Sequence, residues 1–334
     1  MKIKKVDLQA ALEKVKGGLA QKELIEQSSS FIFMDGSIIT YNDEVAVSIP
    51  MKALDFTCAV PGAELMSILS KVKDAEIEVS IIDNELVLAG AKFTARIKIQ
   101  AEISLPIDTL KPSKWQKTTE EFLAALKMCL FSAGSDMSKP VLTCLHINNN
   151  VVESSDSTRL SRMTLEENIN ATFLLPARAA TELCKYEIKS FALTDGWAHF
   201  KLESGAQFSC RTFEGKFPDF DPILQVENTH TLRFPPDMDG ILERASAALI
   251  KDATNQVEIY IKDSKVTVTS ASEIVRYEET ARMRSSKDDI TFRINPTFLR
   301  QILADNSTAE LADDKVKKLK FVNGNFEHIL ALMK

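Results

Sequence analysis

Phe208-Ser-Cys-Arg-Thr-Phe-Glu-Gly-Lys-Phe-Pro-Asp-Phe-Asp-Pro-Ile-Leu224 changes character partway along. Its first part alternates like a strand, with Phe208, Cys210 and Thr212 on one face and Ser209, Arg211 and Phe213 on the other. Glu214-Gly215 signals a turn. Phe217 to Pro222 then spaces aromatic residues with prolines. Proline lacks a backbone donor and fixes φ, so this piece is expected to be neither helix nor inner strand. It reads as a rigid, extended connector lying across apolar surface, and taken alone it is equally well an ordinary interdomain linker.

What surrounds the connector is periodic. Three amphipathic helices start at Asp7, Thr119 and Asp237, spaced 112 and 118 residues apart. Phe122, Leu123, Leu126 and Leu130 form one apolar stripe of the second. Acids in these first turns complement the positive helix end. Three more helices are expected to carry Pro61, Pro176 and Pro296 at their first position, where a missing N–H costs nothing. These prolines stand 115 and 120 residues apart. Strand patterns fill the gaps, among them 30–33, 37–41, 46–49, 77–81, 85–89, 92–99, 257–261, 266–270, 290–294, 319–322 and 328–333. Each unit is helix, strands, helix, strands. The expected fold is therefore α+β, three tandem repeats with two helices packed on antiparallel sheet. The boundaries are 1–112, 113–226 and 227–334, with linkers near Leu105–Lys117 and Phe217–Pro236.

Composition narrows the function. The chain has 334 residues, 45% of them hydrophobic and 26% charged, which suits a soluble protein of two or three domains. No apolar run of about 18 residues is present, so no membrane span is expected. Asp7 and Gln9 interrupt any apolar segment after the basic start, which argues against a signal peptide. Five scattered cysteines without a CxxC pair support neither a disulfide framework nor a zinc site, and a cytoplasmic setting fits. His146, His199, His230 and His328 have no metal-motif spacing, and no glycine-rich phosphate loop or GxSxG elbow occurs. The paired acids Glu120-Glu121, Glu166-Glu167 and Asp313-Asp314 read as caps or solvated faces. No catalytic residue, metal or cofactor is expected. A net charge of -6 argues against holding DNA by bulk electrostatics alone.

Phe213-Glu-Gly-Lys-Phe-Pro-Asp-Phe is joined along the chain by Lys139-Pro-Val-Leu, Asp156-Ser-Thr-Arg-Leu160, Leu174-Leu-Pro-Ala-Arg and Phe292-Arg-Ile-Asn-Pro-Thr-Phe-Leu. With these motifs the chain resembles the bacterial DNA polymerase III beta sliding clamp family. Each motif is weak, but their order over three equal units is specific. The resemblance implies three DNA-clamp domains per chain and a head-to-tail homodimer forming a ring around duplex DNA. Such a ring tethers the replicative polymerase without reading sequence, and a clamp loader opens it. By the same resemblance, Lys22, Lys73, Lys139 and Arg178 would touch DNA. Partner peptides would dock in an apolar cleft of Arg159, Leu160, Pro218, Ile223, Asn295, Phe298, Ile329, Leu330 and Met333. The dimer seam would join Ile97 and Ile99 to Leu249 and Ile250.

Three departures stand out. Ser157 replaces the family's glycine in the central turn, Pro222 stands where an arginine is common, and Ala331-Leu-Met-Lys334 replaces the usual ending. They point to a divergent member, such as one from a phage or mobile element, with its own set of partner peptides. Two other classes stay open on the residues alone: an enzyme using the cleft between the second and third repeats, and a scaffold that binds no DNA.

Overall fold

The computed structural model describes residues 1–227, 229–249, 255–312 and 317–333. It forms two compact units. One comprises Met1–Leu123 and Leu175–Glu214; the other comprises Ala124–Leu174 and Gly215–Lys334. Among the described residues there are seven α-helices: α1 (Lys5–Val15), α2 (Gly62–Lys71), α3 (Glu120–Leu130), α4 (Ala177–Leu183), α5 (Asp221–Leu224), α6 (Met238–Ala247) and α7 (Pro296–Leu303). Each longer helix buries one apolar stripe. In α1 the stripe is Leu8, Ala11, Leu12 and Val15, and in α6 it is Met238, Ile241, Leu242 and Ala245, spacings that return to one face every turn.

The prolines behave as expected in one helix of three. Pro296 is the first residue of α7. Pro61 and Pro176 instead occupy the cap position, with extended ψ of 122° and 133°. The difference is one residue, and their missing N–H is harmless at either place. The connector also departs from expectation. Beyond Phe220 it is not extended: Asp221–Leu224 form one helical turn, with Pro222 where no N–H is needed. The expected linker at Leu105–Lys117 is partly core. Leu105, Ile107 and Leu110 are buried with Ile32, Tyr41, Ala59 and Trp197.

The strands sort into four antiparallel sheets. The first unit holds an eight-stranded sheet in the order Cys58–Pro61, Ser30–Met34, Ser37–Tyr41, Val45–Pro50, Gln207–Arg211, Trp197–Leu202, Ile188–Thr194, Gln116–Lys117. Its join pairs Phe208 with Val47 and Cys210 with Val45. The same unit has a four-stranded sheet of Lys2–Lys4, Glu76–Ile82, Glu85–Ala89 and Thr94–Lys98. A nine-stranded sheet runs Thr172–Pro176, Cys144–Asn148, Val151–Ser155, Arg159–Thr164, Phe326–Ala331, Lys318–Asn323, Thr308–Ala312, Thr229–Arg233, Arg284–Ser285. Its join pairs Leu160 with Ile329 and Arg162 with Glu327. The second unit also has a four-stranded sheet of Arg276–Arg282, Lys265–Ala271, Val257–Lys262 and Ile290–Ile294. Both large sheets therefore pair strands more than a hundred residues apart in sequence.

His199 is buried in the first unit, its Nδ1 2.8 Å from Ser209 Oγ and its Nε2 2.8 Å from Thr194 Oγ1. Burial pushes its pKa down to about 4. The folded protein thus keeps His199 neutral, whereas the unfolded chain protonates it near pH 6.5. Stability from this group is complete above about pH 6.5 and is lost as pH falls toward 4. Between pH 7 and pH 5 in urea titrations His199 should account for a loss of about 1–3 kcal/mol, and His199→Asn should remove that share of the slope.

Candidate peptide groove of the second unit

The strands Val151–Ser155 and Arg159–Thr164 are joined by a tight turn built on Asp156. Its carboxylate accepts hydrogen bonds from the Thr158 amide (2.9 Å), the Thr158 hydroxyl (2.6 Å), the Arg159 amide (3.0 Å) and Arg159 Nε (2.8 Å). An aspartate opening a turn commonly satisfies backbone donors two and three residues on. Ser157 sits in the left-handed region at φ 79°, the conformation that favours glycine. Here a serine accepts it, and its hydroxyl lies 3.2 Å from Lys139 Nζ.

The turn aims Arg159 at α7. The guanidinium carbon lies 3.9 Å from the Phe298 ring centroid and 5.6 Å from that of Phe131, and Nη1 donates to Gln301. Burial depresses the Arg159 pKa, while Asp156 works against that shift. Two aromatic faces, a carboxylate and an amide thus hold one cation. Asn295 caps α7: its side-chain oxygen accepts from the Thr297 amide at 2.9 Å and the Phe298 amide at 3.4 Å. The cap aligns Phe298 on the first turn beneath Arg159.

Strand alternation divides the expected cleft residues. Leu160 and Ile329 are cross-strand partners on one face, Arg159 and Leu330 on the other. The two faces serve different neighbours, since the terminal strand Phe326–Ala331 meets both α5 and α7. Leu160, Ile329 and Leu330 are buried, whereas Ile223 on α5 is 41% exposed and Pro218 is also exposed. Met333 extends the chain past the sheet by bonding its amide to the Arg293 carbonyl at 2.9 Å. So Arg159, Asn295, Phe298 and Leu330 gather around α7, and Leu160, Pro218, Ile223 and Ile329 belong with the α5 side.

Beneath the α7 side, Ser161 Oγ lies 2.7 Å from Ser132 Oγ and 2.8 Å from His328 Nδ1. Burial first, and then the charge of Arg159, push the His328 pKa down to about 3, so this network is neutral.

On the α5 side are functional-looking residues that sequence reading missed. Arg162 donates through Nε (2.8 Å) and Nη2 (2.6 Å) to Glu153, and through Nη1 (2.5 Å) to Asp221. Glu153 is 4% exposed, and its other oxygen lies 2.8 Å from His146 Nδ1. His146 in turn stacks on Phe217 at 4.7 Å. Burial works against the Arg162 charge, but Asp221 and Glu153 outweigh it and hold its pKa above the ordinary value. Lys318 donates to the Ile223 and Gln225 carbonyls (2.8 and 3.1 Å), and Lys320 to that of Leu224 (2.8 Å). The only sequence signal was alternation, which puts Arg162 on the same face as Leu160.

The other expected residues are spread over both units. Lys22, Lys73 and Arg178 are exposed in the first unit, with Arg178 3.8 Å from Glu44; Lys139 is exposed in the second. Several cations in or just after the helices are already paired: Lys16 with Glu13, Lys185 with Glu182, Arg244 with Glu279, and Arg300 with Asp239. Of the expected seam, Ile97 and Leu249 are each 5% exposed and Ile99 is half-buried, whereas Ile250 lies outside the described residues. Among the described residues no group of three or more His, Cys, Asp or Glu could hold a metal, and no helix is long and apolar enough to cross a membrane.

No family model matches the chain. It is 19% identical over 299 residues to the beta sliding clamp of Chlamydia pneumoniae, covering 80% of each chain. It is 24% identical over 253 residues to that of Streptococcus pneumoniae, covering 70% of this chain and 67% of the relative. The solved DNA polymerase III beta chain of Streptococcus pneumoniae superposes with a TM-score of 0.89 at 20% identity, over 100% of this chain and 99% of the other. The DnaN sliding clamp of Bartonella birtlesii, solved bound to griselimycin, superposes at 0.87 and 15% identity with the same coverage. The chain is thus similar in sequence to beta sliding clamps over most of its length and shares the fold of the solved ones along its whole length.

Proposed function

We propose that the chain is a DNA sliding clamp, a non-catalytic processivity factor that encircles duplex DNA as a head-to-tail homodimer. It would tether the replicative polymerase and other partners by short peptides and be opened by a clamp loader. One observation carries this reading: the rule by which the sheets are assembled. If the chain is divided at 1–112, 113–226 and 227–334, each large sheet joins the early strands of one repeat to the late strands of the next. The joins are Val45–Pro50 to Gln207–Arg211 and Arg159–Thr164 to Phe326–Ala331. Two strand sets are left over: the late strands of the first repeat, ending at Thr94–Lys98, and the early strands of the third, ending at Arg276–Arg282. The same rule applied between two copies pairs those two edges. That contact is heterologous, and heterologous contacts close into rings when the rotation permits.

This reading moves the seam from helix end to strand edge. Ile97 and Leu249 are buried within their own units and would lie behind the paired strands. The exposed residues of the edges are Thr94, Arg96 and Lys98, and Arg276, Glu278, Thr280 and Arg282. An open edge offers unpaired N–H and C=O groups to another chain. In duplex contact, Lys22, Lys73, Lys139 and Arg178 are the cations we assign to phosphates, without base readout. A lining of few cations on a chain of net charge -6 suits sliding rather than capture. The α5 and α7 sides of the terminal strand would together receive partner peptides, and griselimycin, bound by the Bartonella clamp, would enter the same groove. The cytoplasm is the setting that this role implies.

Two experiments follow. The Ile99 amide bonds to Asn84 within the sheet, so Ile97 and Ala95 share that orientation and the Arg96 amide points outward. Arg96→Pro should then preserve the internal ladder and break the dimer. Sedimentation should shift from twice 37.2 kDa to a single chain, with the far-UV spectrum unchanged; a dimer that persists argues against this seam. Griselimycin should bind the wild type, and Ile223→Asp or Phe298→Ala should weaken it by about tenfold or more. Equal affinity in all three proteins would move the peptide site elsewhere.

A further inference from the structure

The wall of the groove has an unusual mechanical problem. It is formed by Phe217 to Gln225, and two of its residues, Pro218 and Pro222, have no N–H to donate to a sheet. Among the described residues its amides bond only within the segment: Ile223 and Leu224 to the Phe220 carbonyl, Gln225 to the Asp221 carbonyl, and Asp221 to the Asp219 carboxylate. Side chains must therefore fix it to the body. Phe217 and Phe220 are buried and meet edge to face at 5.6 Å. Lys318 and Lys320 hold its last carbonyls. Arg162 ties the segment, through Asp221, to the strand carrying Leu160.

We propose that Arg162 is a positioning residue for partner recognition, the shared cation of a Glu153–Arg162–Asp221 relay that sets the α5 wall against the Leu160 and Ile329 floor. The proposal rests on the peptide-groove reading above. Its logic is asymmetric. Glu153 is buried and tolerates no loss of its partner, so Arg162 keeps a fixed position on the floor through two bonds to that carboxylate. Its remaining amino group reaches Asp221 at 2.5 Å, and the Asp221 side chain is 67% exposed. A fixed floor cation thus captures the first residue of the helical turn that presents Ile223. The planar guanidinium can serve both carboxylates at once, which a lysine ammonium at the end of a flexible stem does less well. His146 closes the relay from the other end, between Glu153 and the Phe217 ring.

The test uses the full-length protein, with amide exchange and griselimycin affinity as paired readouts. Asp221→Asn cuts the relay at its exposed end, where folding is safe. The double variant Glu153→Gln/Arg162→Met cuts it at the floor without stranding a buried charge. Both should speed exchange of the Ile223, Leu224 and Gln225 amides by about tenfold while leaving strand Val151–Ser155 unchanged. Both should weaken griselimycin about three- to tenfold, and Arg162→Lys should fall between them and wild type. Unchanged exchange at Ile223–Gln225 overturns the proposal. Faster exchange with wild-type affinity also overturns it, because the wall would then be anchored without governing recognition. If wild-type protein binds no griselimycin, the groove reading fails, and the exchange result alone still decides whether Arg162 holds the wall.

Discussion

Antiparallel strands at a sheet edge must be paired, covered or charged, and this fold pairs them across its repeats. The two large sheets depend on two joins, Val45–Pro50 with Gln207–Arg211 and Arg159–Thr164 with Phe326–Ala331. Each join uses the third early strand of one repeat and the last strand of the next. The side chains at the joins are those of an interior: Phe208 and Val47 at one, Leu160 and Ile329 at the other, all buried. The third such pair of edges is divided between the two ends of the same chain. Arg276–Arg282 alternates exposed and half-buried residues, with Arg276, Glu278 and Arg282 among the exposed, and Thr94–Lys98 exposes Arg96 and Lys98. Charged edges discourage indiscriminate pairing and leave room for one specific partner.

The second join also does something local. It brings the terminal strand against the Asp156 turn, so that one short stretch, Arg159 to Arg162, serves two faces. Arg159 stacks on Phe298 and fixes the α7 side; Arg162 reaches Asp221 and fixes the α5 side. Between them, Ser161 bonds His328 in a neutral, buried network. The proposed groove thus follows strand alternation, with Arg159 and Arg162 anchoring its two sides and Leu160, Ile329 and Leu330 buried between them. An apolar surface with few fixed polar anchors suits short peptides that bring their own hydrophobic side chains.

Much of this was legible in the sequence, because it rests on local signals. The period of the helix starts, the apolar stripes and the prolines revealed the repeated α+β unit, and the strands at 30–49, 77–98 and 257–270 follow ordinary alternation. What was missed has physical reasons. Arg276-Tyr-Glu-Glu-Thr-Ala-Arg282 is too polar to read as a strand, since an open edge needs no apolar face. Thr308–Ala312, with its alanines and glutamate, carries helical propensity that tertiary pairing overrides. Pro222 suggested an extended chain, but at the start of a helical turn its missing donor is no handicap. The joins between repeats depend on long-range register, which no local pattern encodes. Asn295, expected in the groove, also caps its helix, while Arg162 drew no notice in the sequence because its partners Glu153 and Asp221 are brought to it only by the fold.

The central claim is that attachment to DNA is topological. The direct measurement is retention on nicked circular duplex and on the same molecule linearised, at moderate salt, after loading has been demonstrated on both. A ring closed by paired edges stays on the circle and escapes from the linear form, and blocking the linear ends with bound protein restores retention. Equal loss from circle and line after loading would mean that the chain does not encircle DNA, and the assignment of its open edges to a second copy would fall with it.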